Sequence, residues 1–398
     1  MQKTPGGLRR NVVIFGNVNA GKSTLFNMIL GQEAAIVSEQ AGTTTDPVVK
    51  AMELLPFGPI TLIDSAGFDD YTELGKQRMD AAKKLSRRAD IVILVREAAK
   101  YQENEEATEV EEIEKIIKCK KLTVFTKCDL VGDDVCEGIR ARHPGALFVR
   151  SDMPGSVCEL KKVLAAELEK IKTTDTDTQI GDLLPRGSTV IVVVEVDSGA
   201  PKGRLILPQV QFIRDCLDHG ITPYITKPDE LEAVLDNVHS TELVVVDSQI
   251  FSAVEKIVPK DIPLTSFSML LAREKGNLEQ FYEGIKHIEK LKDNDKILVL
   301  EACTHNVSHE DIGRVKIPKL LAKHTGKKLN FDFFIGYQMP DNLEGYALAI
   351  ICGSCMVNKT EVLSRLKLFQ ENNIAVTNYG IILAFLVGIL ERCKSVFE

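Results

Sequence analysis

The octapeptide Gly16-Asn17-Val18-Asn19-Ala20-Gly21-Lys22-Ser23 restricts what this chain can fold into more than any other segment. It fits G-x-x-x-x-G-K-S. A β-branched run, Asn11 to Phe15, precedes it, and Ser23 to Ile29 reads as a helix after it. Strand, glycine loop and helix in that order belong to a parallel α/β layer. The glycines let successive N–H groups turn inward at a helix N-terminus, where orphan donors and the helix dipole favour a phosphate. The expected nucleotide-binding set is therefore Asn17, Asn19, Ala20, Gly21, Lys22, Ser23 and Thr24. Lys22 would neutralise β- and γ-oxygens, and the Ser23 hydroxyl would reach Mg²⁺.

Further elements follow in the order that GTP hydrolysis needs. Asp64-Ser65-Ala66-Gly67 comes directly after the apolar run Ile60 to Ile63. Asp64 would hold Mg²⁺ through water, and the Gly67 N–H would sense the γ-phosphate. Thr126-Lys127-Cys128-Asp129 follows the run Leu122 to Phe125. The Asp129 carboxylate can accept two hydrogen bonds from a guanine edge, and the stem of Lys127 would pack on the base. Thr126 stands where an asparagine is usual, so one side-chain amide contact is missing. Gly42-Thr43-Thr44-Thr45-Asp46 lies where a loop would close over the metal, with Thr44 favoured as its ligand over Thr45. Phe68 follows this Gly67 in place of a water-orienting glutamine. Asn19, together with the Gly-Thr-Thr run, resembles the TrmE-Era-type GTPases, in which such an asparagine helps hold K⁺ against the phosphates.

The remaining length organises into blocks. Residues 1–172 form the nucleotide-binding block, and the polar stretch from Lys172 to Ile180 reads as a linker. Residues 182–266 alternate strand (Val190–Val196, Thr222–Thr226, Leu243–Val246) and helix (Gln209–Leu217). Residues 267–398 do the same, with strands at Ile297–Leu300, Leu329–Phe334 and Tyr346–Ile351 and a helix near Glu361–Phe369. The fold class is thus α/β in three domains, a P-loop domain and two smaller, mostly parallel ones. The Glu-rich segment 103–114 keeps Val110, Ile113, Ile116 and Ile117 at helical spacing, so its acids read as a solvated face.

A formal net charge of −8 argues against a whole-chain electrostatic match to nucleic acid or an anionic membrane. The longest apolar run, Gly380 to Leu390, is 11 residues, against the ~20 that a membrane span requires, and reads as a buried core helix. No signal-peptide pattern opens the chain, so a soluble, cytoplasmic protein is expected.

Nine cysteines suit metal ligation better than a disulfide framework in such a chain. Cys303-Thr304-His305 follows one expected strand and Cys352-Gly353-Ser354-Cys355 another. Parallel strands would deliver both loops to one carboxyl edge, where α/β sheets place ligands. Three thiols suit an iron–sulfur cluster with one exchangeable iron. A zinc site of three Cys and His305 fits the same residues, and a redox C-x-x-C is the plainer alternative. The other six cysteines lack such spacing and read as buried or incidental. In the middle block, Asp197 and Arg204 flank a Gly/Pro loop and are expected to serve loop structure or an interface.

The opening TPGGLRRNVVIFGNVNAGKSTLFN, the segment VDSGAPKGRLILPQVQFIRD and the cysteine block together resemble the iron–iron (FeFe) hydrogenase maturation GTPases over nearly the whole chain. That resemblance implies a scaffold that receives a two-iron precursor from radical-SAM maturases. The precursor is held on or near a 4Fe–4S cluster and passed to the apo-hydrogenase. It also implies a homodimer formed through the middle domain. The family pattern has histidine before the C-x-x-C pair, whereas Ile351 stands here. The fourth cluster position then falls to His305, Glu301, His309, water or the precursor. The alternative function is an RNA-modification or ribosome-assembly GTPase with a structural zinc site. No Lys/Arg-rich appended domain supports it.

Overall fold

The computed structural model describes residues 4–31, 47–65, 73–102, 113–174, 178–195, 205–302 and 312–398. The chain divides into two compact units, Met1–Asp175 and Thr176–Glu398.

The first unit holds one sheet built from β1 (Arg10–Gly16), β2 (Val48–Leu54), β3 (Gly58–Asp64), β4 (Ile91–Glu97), β5 (Lys120–Thr126) and β6 (Leu147–Phe148). Their spatial order is β2-β3-β1-β4-β5-β6. All neighbours run parallel except β2, which returns antiparallel against β3. Val12 to Phe15 and Ile91 to Leu94 are fully buried, as strands covered on both faces must be. β2 had no counterpart in the sequence reading. It is an edge strand whose Val48 and Val49 lie open to solvent, so its apolar residues do not form the continuous run that marks a central strand. The expected Glu-rich helix lies mostly outside the described residues; its end, with Ile113 and Ile117, is buried under the sheet.

The second unit carries two four-stranded sheets, both wholly parallel. One contains β7 (Thr189–Val193), β8 (Thr222–Thr226), β9 (Leu243–Val246) and β10 (Leu264–Ser266), ordered β10-β9-β7-β8. The other contains β11 (Lys296–Glu301), β12 (Asn330–Ile335), β13 (Tyr346–Ile351) and β14 (Ala375–Asn378), ordered β12-β11-β13-β14. Val244 and Val246 of the first belong to the same contiguous apolar core as Leu298 and Ile350 of the second. Residues 182–266 and 267–398 therefore mark two sheets inside one compact unit. The helix Phe267–Lys275 connects them, started by the Ser266 hydroxyl, which accepts from the Met269 N–H.

The apolar run from Gly380 to Leu390 divides. A buried helix, Tyr379–Val387, stops at Gly388, whose φ of 85° is left-handed, and a separate short helix begins at Leu390. Among the described residues no helix is long and apolar enough to cross a membrane.

Candidate functional site

In the first unit, β1 runs into the glycine loop and the helix Lys22–Leu30 leaves it. A Cβ on Gly16 would come within 2.4 Å of the Val95 carbonyl oxygen, so only glycine lets β1 pass β4 there. Asn19 and Gly21 take left-handed φ values of 62° and 86°, which curl the loop. Lys22 is buried, and its Nζ donates to the Asn17 carbonyl at 2.7 Å, so the ammonium lies over the loop.

Asp64 ends β3 beside Ile14 of β1, which brings it to the same edge. The Ser23 hydroxyl donates to Asp64 Oδ2 at 2.8 Å, so the two residues expected at Mg²⁺ are in contact. Asp64 Oδ1 is buried with no hydrogen-bond partner. Burial pushes this carboxyl above the ordinary carboxylate range, against the opposing pull of the Ser23 hydrogen bond and the Lys22 charge. A carboxyl whose folded pKa is raised holds its proton more tightly in the folded state. It adds stability at acid pH and withdraws it as pH rises through the folded value. Asp64→Asn is therefore expected to raise the thermal midpoint of the nucleotide-free protein at neutral pH. On the expectation that Asp64 holds Mg²⁺, the same change should also slow Mg²⁺-dependent hydrolysis, since a bound metal supplies transition-state charge. A midpoint that falls instead would show that the charge stabilises the fold.

Asp129 lies one turn beyond β5. A cleft of about 210 Å³ opens there, lined by Gly21, Thr24, Thr126, Lys127, Asp129 and Ser151 among others. Asp129 Oδ1 is buried and unpartnered, and Oδ2 accepts from the Ser151 hydroxyl at 3.3 Å. Lys127 pairs with Glu97 at 3.1 Å. The Thr126 hydroxyl donates to the Ala20 carbonyl at 2.6 Å, with the Arg96 carbonyl at 3.2 Å. Thr126 therefore ties the loop after β5 to the glycine loop, although it cannot offer the amide an asparagine would. Ser151 was missed from the sequence; its only signal was a polar turn after a short strand. Thr44, Thr45, Gly67 and Phe68 lie outside the described residues.

In the second unit, β11 and β13 pair parallel, with Leu300 opposite Ile351, so their following loops leave the same edge. Cys352 Sγ accepts from the Ala302 N–H at 3.1 Å and from the Ser354 N–H at 3.4 Å. The residue before Cys303 thus touches Cys352. Burial and the neighbouring Cys355 push the Cys352 thiol up to about 11, although the two N–H groups and the Arg365 charge act the other way. Glu301 is already engaged, accepting from Tyr379 and from Arg314, both at 3.2 Å. Cys303, His305 and His309 lie outside the described residues, as do Asp197 and Arg204. Among the described residues no three His, Cys, Asp or Glu side chains come together as a metal group. Of the other cysteines, Cys128, Cys136, Cys216 and Cys393 are buried, Cys119 is half-buried and Cys158 is exposed.

Three family profiles match the chain. Residues 11–127 match one described as a 50S ribosome-binding GTPase, 179–276 a hydrogen maturase F dimerization domain, and 279–396 a hydrogen maturase F tetramerization domain. The tRNA modification GTPase MnmE of Xanthomonas euvesicatoria is 35% identical over 126 residues, 31% of this chain and 27% of that protein. GTPase Der of Kosmotoga olearia is 36% identical over 142 residues, 34% of this chain and 32% of that protein. The chain thus spans about a third or less of the length of these relatives. Among solved structures, Aquifex aeolicus Era matches at 24% identity with a TM-score of 0.33, over 39% of this chain and 56% of that one. The first unit is a P-loop GTPase domain.

Proposed function

The chain belongs to the hydrogen maturase F family, and on that basis we propose that it is a GTP-hydrolysing scaffold for assembly of the iron–iron hydrogenase active site. The observation that carries this reading is the contact between Ala302 and Cys352. It brings the loop that continues into Cys303 against the loop of Cys352 and Cys355, at one carboxyl edge. Backbone N–H groups aimed at Cys352 Sγ suit a sulfur that bears charge. Cys303, Cys352 and Cys355 would hold a 4Fe–4S cluster, with a fourth position left to His305, His309, water or the precursor. Glu301 is the weaker donor because Tyr379 and Arg314 already occupy its carboxylate. When bound, the cluster would offer an exchangeable iron position to a two-iron precursor. Radical-SAM maturases would supply that precursor, and the apo-hydrogenase would receive it. The reading also places the protein in the cytoplasm, where thiols stay reduced.

In the G domain, Lys22 and the loop N–H groups would bind the phosphates. Ser23, Asp64 and Thr44 would hold Mg²⁺, the Gly67 N–H would meet the γ-phosphate, and Asp129 with Lys127 would select guanine. Asn19 would hold K⁺. Hydrolysis is accordingly expected to be several-fold faster in K⁺ than in Na⁺ at equal ionic strength, because a bound cation supplies transition-state charge. Equal rates would remove K⁺ from the mechanism. Self-association through residues 182–266 is supported by β8, an edge strand that leaves Tyr224 and Ile225 exposed.

An RNA-modification or ribosome-assembly role has less support. The likeness to MnmE and Der covers about a third of the chain, and residues 179–396 match hydrogen maturase profiles instead. Metal analysis of the anaerobically purified protein tests the choice. Iron with acid-labile sulfide is expected, and stoichiometric zinc without iron would overturn the scaffold reading.

A further inference from the structure

Lys275 ends the helix Phe267–Lys275 and is only 2% exposed. Its Nζ donates to the Ser354 carbonyl at 3.1 Å and to the Val357 carbonyl at 3.0 Å. Those two carbonyls bracket Cys355. The turn between them is tight, since Ser354 has a left-handed φ of 56° and the Val357 N–H donates back to the Ser354 carbonyl at 3.3 Å. A long cationic side chain is thus buried behind the thiol loop and draws its two ends together. Burying an ammonium is costly, and an aliphatic side chain could fill the same space without that cost. Lys275 also lies in the segment matched by the dimerization profile, whereas Cys352 and Cys355 lie in the tetramerization segment. One side chain therefore joins the two parts at the thiol loop.

We propose that Lys275 is a positioning residue of the thiol site. It fixes the turn that presents Cys355, and its charge raises the electron affinity of a metal centre held by the loop. The inference rests on the reading of Cys303, Cys352 and Cys355 as cluster ligands. The physical reason is Coulombic: a positive charge in a poorly screened interior favours the more negative, reduced form of a nearby centre.

The test uses the full-length chain with Lys275→Arg, Lys275→Met and Lys275→Gln, each reconstituted with ferrous iron and sulfide without oxygen. Iron per chain, the midpoint potential by EPR-monitored titration, and the thermal midpoint of the iron-free protein are read together. Lys275→Arg should match the unsubstituted chain in iron and potential. The two neutral variants should bind less iron, and the iron they keep should titrate at a more negative potential. The expected change is a roughly tenfold lower ratio of reduced to oxidised centre at the unsubstituted chain's midpoint, about 59 mV for one electron. Full loading with an unshifted potential in either folded neutral variant would overturn the proposal. So would loss of folding in both, because Lys275 would then be a residue of the fold and not of the site. Failure of the unsubstituted chain to take up iron is a different result, and it would remove the cluster reading itself.

Discussion

Lys22→Ala is expected to weaken GTP binding by about a hundredfold or more. A hydrogen bond to a charged group contributes about 1.5–3 kcal/mol, and the upper end of that range is already about a hundredfold in affinity. Lys22 is buried at the glycine loop with its ammonium 2.7 Å from the Asn17 carbonyl, so its charge is poorly screened. Ser23 and the loop N–H groups can still bind oxygen, but none carries a full positive charge. Alanine is the best helix former, so the helix Lys22–Leu30 should persist and the thermal midpoint should change little. Titration with a fluorescent GTP analogue reads the effect. Affinity within threefold of the unsubstituted chain would show that Lys22 does not contact the nucleotide.

The nucleotide end of the molecule was legible because its chemistry is local. Gly16 to Ser23 is contiguous, Asp64 closes β3 and Asp129 lies just beyond β5, two strands that short apolar runs announce. The parallel edge that leads into Ala302 and Cys352 was legible for the same reason, since β11 and β13 carry continuous apolar runs. What escaped detection depends on partners distant in sequence. β2 is an edge strand whose residues face solvent, so no periodicity marks it. Ser151 matters only because β6 brings its turn beside Asp129. No motif singles out Lys275 in the sequence, and only the fold shows its ammonium buried against residues 79 and 82 positions away. The joint core of the two C-terminal sheets is invisible for a related reason: alternation of strand and helix gives each layer but not what the layers pack against.

On the proposed scaffold reading, Cys303→Ser, Cys352→Ser and Cys355→Ser are each expected to lower iron uptake on reconstitution severely, with loss of the ~400 nm absorption of thiolate-ligated clusters. The substitution keeps the shape of the side chain and replaces a soft thiolate with a hydroxyl that stays protonated at neutral pH. A cluster with only three protein thiolates has none to spare. Cys352 adds a second reason, because its sulfur accepts the Ala302 and Ser354 N–H groups. The shorter serine bond draws the acceptor back from both donors. GTP hydrolysis should stay within about twofold in all three variants, since Lys22, Asp64 and Asp129 lie in a separate compact unit, Met1–Asp175. His305→Ala should leave the iron content intact, and a changed spectrum in that variant would give His305, rather than His309, water or the precursor, the exchangeable position. Activation of apo-hydrogenase should fail in each cysteine variant while nucleotide turnover continues, which separates loss of cargo handling from loss of the G domain. Full iron content in all three cysteine variants, or activation without these thiols, would show that the precursor is carried elsewhere on the chain.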